Sequence, residues 1–187
     1  MKITLVRHTQ VQKEYIGKYN GHNDIGLSYQ GKKEAQKLAE KFQYEKFDRV
    51  YCSDLRRTRE TIASFAQAKD ALFTEKLREK SWGRHEGLSF DEITLQGIKY
   101  QNFLQWIESL DGEDYKSYIQ RVKTFFFEDI IVQQADNVLV VTHAGVIKVL
   151  MSVVQNIPLK DSFSVELPYA SYVIYDTNMK SFSIIKT

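Results

Sequence analysis

The chain has 187 residues, a length that one domain can fold around a core without disulfides or metal ions. Its 26 basic and 24 acidic residues give a formal net charge of +2, too balanced for binding nucleic acid or an anionic membrane through bulk charge. No apolar stretch approaches the ~20 residues that cross a bilayer, and no secretory signal is recognisable. The single cysteine, Cys52, cannot form an internal disulfide, so we expect one domain over residues 1–187 in the cytoplasm.

The first half of the chain alternates apolar runs, typical of buried strands, with amphipathic segments, typical of surface helices. The predicted strands are residues 3–6, 49–52 and 71–77, and residues 17–26 are a polar loop. Ser28 is the predicted cap of a helix that ends near Phe42. Ser53 or Asp54 is the predicted cap of a second helix that ends near Gln67.

The second half of the chain continues the alternation and ends in a hairpin. Apolar residues recur at helical spacing over residues 90–109 and 114–134, which predicts two helices. Residues 138–141 predict a strand that is buried on both faces, and residues 145–155 predict a helix. Residues 172–175 and 182–185 predict an antiparallel hairpin. We therefore predict an α/β three-layer sandwich, with a mostly parallel central sheet, an antiparallel edge strand, and helices on both faces.

Basic side chains and histidines follow three of the predicted strands. Arg7 and His8 come directly after the first strand. Arg57 follows the second strand closely, and His143 follows the strand at residues 138–141. Ligand sites of α/β sheets lie beyond the carboxyl ends of the strands, so we expect these side chains to converge. Guanidinium groups match phosphate oxygens and a neutral imidazole can attack phosphorus, so the pattern indicates a phosphoryl site.

Five short motifs occur in order along the chain and are specific when taken together. They are Leu5-Val6-Arg7-His8-Thr9, residues 19–24 with Leu27 and Gly31, Ser53-Asp54-Leu55-Arg56-Arg57 with Thr61, Glu79 through Gly83 to Glu86-Gly87, and Val141-Thr142-His143-Ala144-Gly145. With these motifs the chain resembles the histidine phosphatase superfamily, which includes cofactor-dependent phosphoglycerate mutases and alpha-ribazole phosphatases. The resemblance covers most of the chain.

The resemblance implies a role for each of the catalytic candidates. His8 would be the nucleophile that becomes phosphorylated, Arg7, Arg57 and His143 would form the phosphate pocket, and Glu79 would be the proton donor. Phosphoryl transfer needs such groups, because negative charge spreads over the phosphoryl oxygens and the departing alkoxide needs a proton. No metal ion or organic cofactor is expected.

Further residues are substrate-binding candidates through the same motifs, namely Glu14, Asn20, Gly21, His22 and Ala144. The chain departs from the family pattern at several positions: Thr9 and Ala144 replace the usual Gly, Glu14 the usual Asn, and Lys148 the usual Arg. Glu14 matters most, since a carboxylate that faced a phosphate would repel it. It must turn away, meet a cation, or select a substrate with a positive or hydroxyl-bearing part.

Two other kinds of site are excluded by spacing. The four histidines include no pair at i, i+4 spacing and Cys52 has no second cysteine, so the sequence predicts no metal site. The aromatic residues do not interleave with a basic stripe, so no nucleic-acid platform is expected. The expected partner is a small phosphorylated metabolite, and the sequence leaves the oligomeric state open.

Three functions remain open at this point. Only 63 residues separate Glu79 from His143, fewer than in the mutases, which suggests an open site where water is the phosphoryl acceptor. The region around Gly17, Tyr19, Gly21 and His22 is similar to alpha-ribazole phosphatases, so alpha-ribazole 5'-phosphate is the first substrate hypothesis. A phosphoglycerate mutase is the alternative. A catalytically inactive relative that binds a phosphate ligand or a protein is the third, although Glu79 and both histidines are intact.

Overall fold

A six-stranded sheet organises the computed structural model, which describes residues 1–185. The strands are β1 (Lys2–Arg7), β2 (Arg49–Ser53), β3 (Ala71–Thr74), β4 (Asn137–Thr142), β5 (Tyr172–Asp176) and β6 (Ser181–Ile185). They lie in the order β3-β2-β4-β1-β5-β6. The four strands β3, β2, β4 and β1 are parallel, whereas β5 and β6 run antiparallel at one edge. The predicted α/β sandwich is confirmed, with two antiparallel strands at its edge.

Seven α-helices are described along residues 1–185. They are α1 (Tyr29–Phe42), α2 (Arg56–Ile62), α3 (Phe90–Thr94), α4 (Phe103–Ser109), α5 (Tyr115–Thr124), α6 (Ala144–Gln155) and α7 (Leu159–Ser164). Short 3-10 turns occupy Lys13–Tyr15, Ala66–Asp70, Glu75–Leu77 and Gly83–His85. Ser28 caps α1 by accepting a hydrogen bond from the Gly31 amide at 2.9 Å, as predicted.

The sheet separates two hydrophobic cores, because successive side chains of a strand point to opposite faces. In β4, Val138 and Val140 pack with α4, α5 and α6 on one face. Leu139 and Val141 pack with α1 and α2 on the other. All four side chains are fully buried, which explains why this strand reads as a continuous apolar run.

The second predicted helix begins and ends differently from the prediction. Its N-cap residue is Leu55, which makes no side-chain capping bond, and α2 ends at Ile62. The chain leaves the helix before Gln67, whose side-chain amide donates to the Phe42 carbonyl at 2.9 Å. Gln67 thus satisfies a carbonyl at the end of α1, a tertiary contact that local periodicity does not reveal.

Both long helices predicted in the middle of the chain are interrupted. Residues 90–109 form α3 and α4, separated by a segment in which Gly97 adopts a φ of +81°. A left-handed residue cannot continue an α-helix, so the helical spacing on its two sides belongs to two elements. Residues 114–134 form α5 and then a π-helical turn at Phe125–Ile130, which buries both Phe125 and Phe126.

The third strand is shorter than predicted. β3 ends at Thr74, whose hydroxyl accepts from the Lys76 amide at 3.2 Å and so caps a 3-10 turn. The apolar Leu77 at the end of the predicted strand belongs to this turn and is buried on the α5 side of the sheet.

None of the helices within residues 1–185 combines the length and apolar character needed to cross a bilayer.

Candidate active site

Parallel pairing of β1 and β4 brings the two histidines together. Arg7 pairs with Thr142 at the carboxyl ends of these strands, and the His8 amide donates to the Thr142 carbonyl at 2.9 Å. His8 and His143 are the next residues of their chains, and their ring centroids lie 5.3 Å apart. Both are buried, with 6% and 1% of their surface exposed.

The His8 ring presents one free nitrogen to the site. Its Nδ1 lies 2.8 Å from the Thr9 carbonyl oxygen, which can only accept a hydrogen bond, so Nδ1 carries the proton. Burial, followed by the charges of Arg57 and Arg7, holds the pKa of His8 well below its ordinary value. The ring is therefore neutral, and its lone pair is on Nε2, the atom that an attacking imidazole uses.

Arg57 is a buried cation surrounded by neutral acceptors. Its surface is 1% exposed, and its guanidinium donates to the carbonyls of Asn20 at 2.9 Å, Gly21 at 2.7 Å and Asn23 at 2.8 Å. Within residues 1–185 no carboxylate forms a salt bridge with it. Burial lowers the pKa of Arg57 to about 10, so the side chain remains charged at neutral pH. A buried cation with no carboxylate in direct contact favours a bound anion.

A second cation, Arg7, lies on the other side of His8. Its Nη1 donates to the Leu167 carbonyl, and its guanidinium lies 4.1 Å from the centre of the Tyr169 ring. The Nε atom is buried and has no hydrogen-bond partner among the described residues. Burial lowers the pKa of Arg7, against the opposing effects of Tyr169 and Glu79. Arg7 and Arg57 together create a strongly electropositive surrounding for the His8 ring.

Both ring nitrogens of His143 are engaged. Its Nδ1 accepts from the Nε–H of Arg57 at 3.2 Å, which leaves the ring proton on Nε2, 2.9 Å from the Ser53 hydroxyl. Burial, then Arg57 and His8, hold the pKa of His143 well below its ordinary value. A neutral His143 in this arrangement has no spare N–H for a phosphoryl oxygen.

Glu79 is held by three hydrogen-bond donors. Its Oε1 accepts from the Tyr118 hydroxyl at 2.6 Å and from the Lys80 amide at 3.1 Å, and its Oε2 accepts from the Gly145 amide at 2.9 Å. A Cβ atom at position 145 would lie only 2.1 Å from Oε1, so the start of α6 requires glycine there. Each carboxylate oxygen therefore has a fixed direction relative to α5 and α6.

The carboxylate of Glu86 organises the loop that surrounds Arg57. It accepts from the backbone amides of Gly21 at 2.8 Å, His22 at 2.7 Å and Trp82 at 2.9 Å, with a longer contact to Asn23 at 3.4 Å. The same loop supplies the carbonyls that hold Arg57. Glu86 thus orients the backbone that positions the buried cation.

These groups surround one cavity of about 180 Å³. Its lining includes His8, Arg7, Arg57, Glu79 and His143, the five catalytic candidates from the sequence. A nucleophilic nitrogen, two cations and a carboxylate thus face a common space. This arrangement suits transfer of a phosphoryl group from an ester.

Comparison with known proteins agrees with this geometry. Residues 3–187 match the sequence profile of the histidine phosphatase superfamily, branch 1. The chain belongs to this superfamily. Like its relatives it is a phosphatase, a hydrolase of phosphate esters.

Two curated relatives carry specific phosphatase names. Phosphoserine phosphatase 1 of Hydrogenobacter thermophilus is 29% identical over 195 aligned positions, which cover 100% of this chain and 91% of that protein. The adenosylcobalamin/alpha-ribazole phosphatase of Escherichia coli is 26% identical over 189 positions, with 96% and 92% coverage. The crystal structure of the alpha-ribazole phosphatase from Shigella flexneri superimposes with a TM-score of 0.82 at 24% identity, covering 99% of this chain and 95% of that one. That structural likeness shows a shared fold.

The substrate-binding candidates of this histidine phosphatase fall into two groups. Asn20 and Ala144 line the cavity. Gly21 and His22 do not: Gly21 contributes its carbonyl to Arg57, and the His22 Nε2 lies 3.1 Å from the Glu79 carbonyl oxygen. Glu14 is exposed in the 3-10 turn at Lys13–Tyr15 and is absent from the cavity lining, so its carboxylate turns away from the site.

Sequence reasoning missed several residues around the cavity of the phosphatase. The lining also includes Val11, Lys18, Tyr19, Trp82 and Tyr169. Lys18 and Tyr19 lie in the predicted polar loop, where a lysine beside a phosphoryl site could have been noticed. The sequence around Tyr169 does not mark it as a site residue, because its position over Arg7 depends on how the chain approaches β5. Within residues 1–185 no three metal-binding side chains of the His, Cys, Asp or Glu types cluster.

Proposed function

We propose that this phosphatase hydrolyses a small phosphomonoester through a phosphohistidine on His8, as one domain over residues 1–187 in the cytoplasm. The supporting observation is the neutral His8 ring, whose free Nε2 lies in a cavity with the buried Arg57 and the half-buried Arg7. A buried Cys52 without a disulfide partner is compatible with a reducing compartment. Phosphorylated small molecules are the substrates named for the relatives.

In the first step, Nε2 of His8 attacks phosphorus and the bond from phosphorus to the leaving oxygen breaks. Glu79 gives its proton to that oxygen, so the product leaves as an alcohol rather than an alkoxide. Arg7 and Arg57 offset the negative charge of the three other phosphoryl oxygens. His143 stays neutral and supports this role through Arg57, because its Nδ1 accepts from the Nε–H of that guanidinium.

In the second step, water attacks the phosphohistidine. Glu79, now a carboxylate, accepts a proton from this water, and the bond between phosphorus and Nε2 breaks. The electron pair of that bond returns to the ring, which becomes neutral again, and inorganic phosphate leaves. The same carboxyl group thus acts as an acid and then as a base.

Activity is expected to survive a strong chelator. Arg7 and Arg57 provide the positive charge that a metal ion would otherwise supply. Phosphate release should be measured with and without an excess of EDTA after extended dialysis. Loss of turnover that added magnesium or zinc restores would contradict the proposed chemistry.

The cavity favours a substrate that carries a carboxylate beside its phosphate. Lys18 lines the cavity as a cation additional to the two arginines, and Tyr19 and Trp82, whose ring centroids lie 5.0 Å apart, also line it. This supports phosphoserine or a related acid as substrate, in line with the name of one relative. Alpha-ribazole 5'-phosphate, which has no carboxylate, is the second candidate, suggested by the other relative.

A direct screen tests this proposal. Inorganic phosphate release should be compared for phosphoserine, 3-phosphoglycerate and alpha-ribazole 5'-phosphate under identical conditions. The highest kcat/KM for a carboxylate-bearing ester would support the assignment, and the highest value for alpha-ribazole 5'-phosphate would replace it. Conversion of 3-phosphoglycerate to its 2-isomer with little phosphate release would instead identify a mutase.

Lys18→Gln is expected to raise KM for phosphoserine about tenfold, because a partly buried lysine loses its pairing with the substrate carboxylate. KM for phenyl phosphate should change less than twofold. Lys13→Gln is the matched control, since Lys13 lies in the adjacent turn, is exposed and does not line the cavity. An equal rise in KM for both substrates would show that Lys18 does not read the carboxylate.

A further inference from the structure

Two buried tyrosines of α5 differ in the hydrogen bonding of their hydroxyl groups. Tyr115 and Tyr118 are 7% and 1% exposed, and their ring centroids lie 5.9 Å apart. The hydroxyl of Tyr118 donates to Oε1 of Glu79 at 2.6 Å. The hydroxyl of Tyr115 is buried and has no hydrogen-bond partner among the described residues. Three residues apart on one helix, the two rings lie on the same face.

We propose that Tyr118 is a positioning residue, which orients the Glu79 carboxyl group and stabilises its ionised form between the two steps of the reaction. This inference rests on the proposed function, in which Glu79 gives a proton in the first step and takes one in the second. Tyr118 acts only through Glu79, because it is absent from the lining of the cavity.

The direction of the hydrogen bond follows from the chemistry of its two partners. Burial, and then the neighbouring carboxylate, raise the pKa of Tyr118 well above its ordinary value, so the phenol keeps its proton. A phenol that keeps its proton donates to an ionised carboxylate, and such a bond favours the charged form of the acceptor. Tyr118 therefore assists the second step, in which Glu79 must be a base.

Tyr118 is also the one donor to Glu79 that a substitution can remove cleanly. The other two donors are the backbone amides of Lys80 and Gly145, which every residue type except proline retains. Replacing Gly145 would add a clash with the carboxylate itself. A phenylalanine at position 118 instead keeps the ring in the core and deletes only the hydroxyl.

Other charged and titratable groups act on Glu79 from several packed elements. They are Arg7 of β1, Arg57 of α2, Arg121 and Tyr115 of α5, and Lys148 of α6. The four cations favour the carboxylate and are unchanged in a variant of Tyr118. A Tyr118 variant therefore removes one hydrogen-bond donor and leaves these charges in place.

The test compares Tyr118→Phe with Tyr115→Phe across pH. In Tyr118→Phe we expect the alkaline limb of the kcat profile for an alkyl phosphate to move up by about one pH unit, the shift expected from one hydrogen bond to a charged group. We also expect kcat at neutral pH to fall about tenfold, because the Glu79 carboxyl group is no longer held in one direction. Tyr115→Phe removes a hydroxyl with no partner and should leave the profile in place.

A double variant separates positioning from general damage. In a Glu79→Gln background, Tyr118→Phe should cause no further loss, since its effect passes through the carboxyl group. An unshifted profile in Tyr118→Phe, an equal shift in Tyr115→Phe, or a full additional loss in the double variant would overturn the inference. A separate result would contradict the proposed function: if the alkaline limb of the wild-type profile persisted in Glu79→Gln, Glu79 would not be the group that gives the proton.

Discussion

His8→Ala is expected to abolish turnover, a fall on the order of 10⁴-fold or more in kcat, because the variant lacks the nitrogen that we propose attacks phosphorus. With labelled substrate and a rapid quench, the wild-type protein should retain label that is stable in base and labile in acid. Such stability is the signature of phosphorus bound to nitrogen. His8→Ala should retain none.

His143→Gln is the matched control for this experiment. This substitution removes the His143 ring, whose centroid lies 5.3 Å from that of His8, but leaves His8 in place. Turnover should fall, yet the label should still form. Label that persisted in His8→Ala, or that appeared on a serine or on Cys52, would refute the assignment. Cys52 is an unfavourable nucleophile, because it is fully buried and burial raises its pKa.

Glu79→Gln is expected to slow phosphorylation of the enzyme by an alkyl phosphate by about 10²- to 10³-fold, since the departing alkoxide then receives no proton. Phosphorylation by p-nitrophenyl phosphate should change by less than about threefold, because nitrophenolate leaves without one. Rates of labelling in a rapid-quench series of leaving groups measure the difference. An equal loss for good and poor leaving groups would mean that Glu79 supports the site structurally and donates no proton.

The positions of the site residues on the fold were largely predictable from strand ends. Arg7, His8 and His143 follow β1 and β4, and parallel pairing of these strands forces their side chains to one edge of the sheet. Arg57 belongs to α2, which begins three residues after β2, so it reaches the same edge. Glu79 could be placed only through its motif, since it follows a 3-10 turn rather than a strand.

The supporting groups could not be predicted, because their roles depend on contacts between distant segments. Glu86 binds amides of a loop 63 to 65 positions earlier in the chain. Tyr118 has the spacing of an ordinary core residue of α5, and only the approach of Glu79 distinguishes it from Tyr115. The direction of the Glu14 side chain could not be predicted either, because a position within a motif does not decide where a side chain points.

The central place of β1 also governs when the enzyme can become active during synthesis. This strand is made before the other five strands of the sheet, yet its partners are β4 and β5, which end at Thr142 and Asp176. Because synthesis adds about 5–20 residues per second, β4 and β5 are complete only on the order of ten seconds or more after β1. His8 is tied by backbone hydrogen bonds to Thr142 and Ala170. An unfinished chain that stops before residue 170 therefore lacks the assembled surroundings of His8, and we expect it to have no phosphatase activity while it is still on the ribosome.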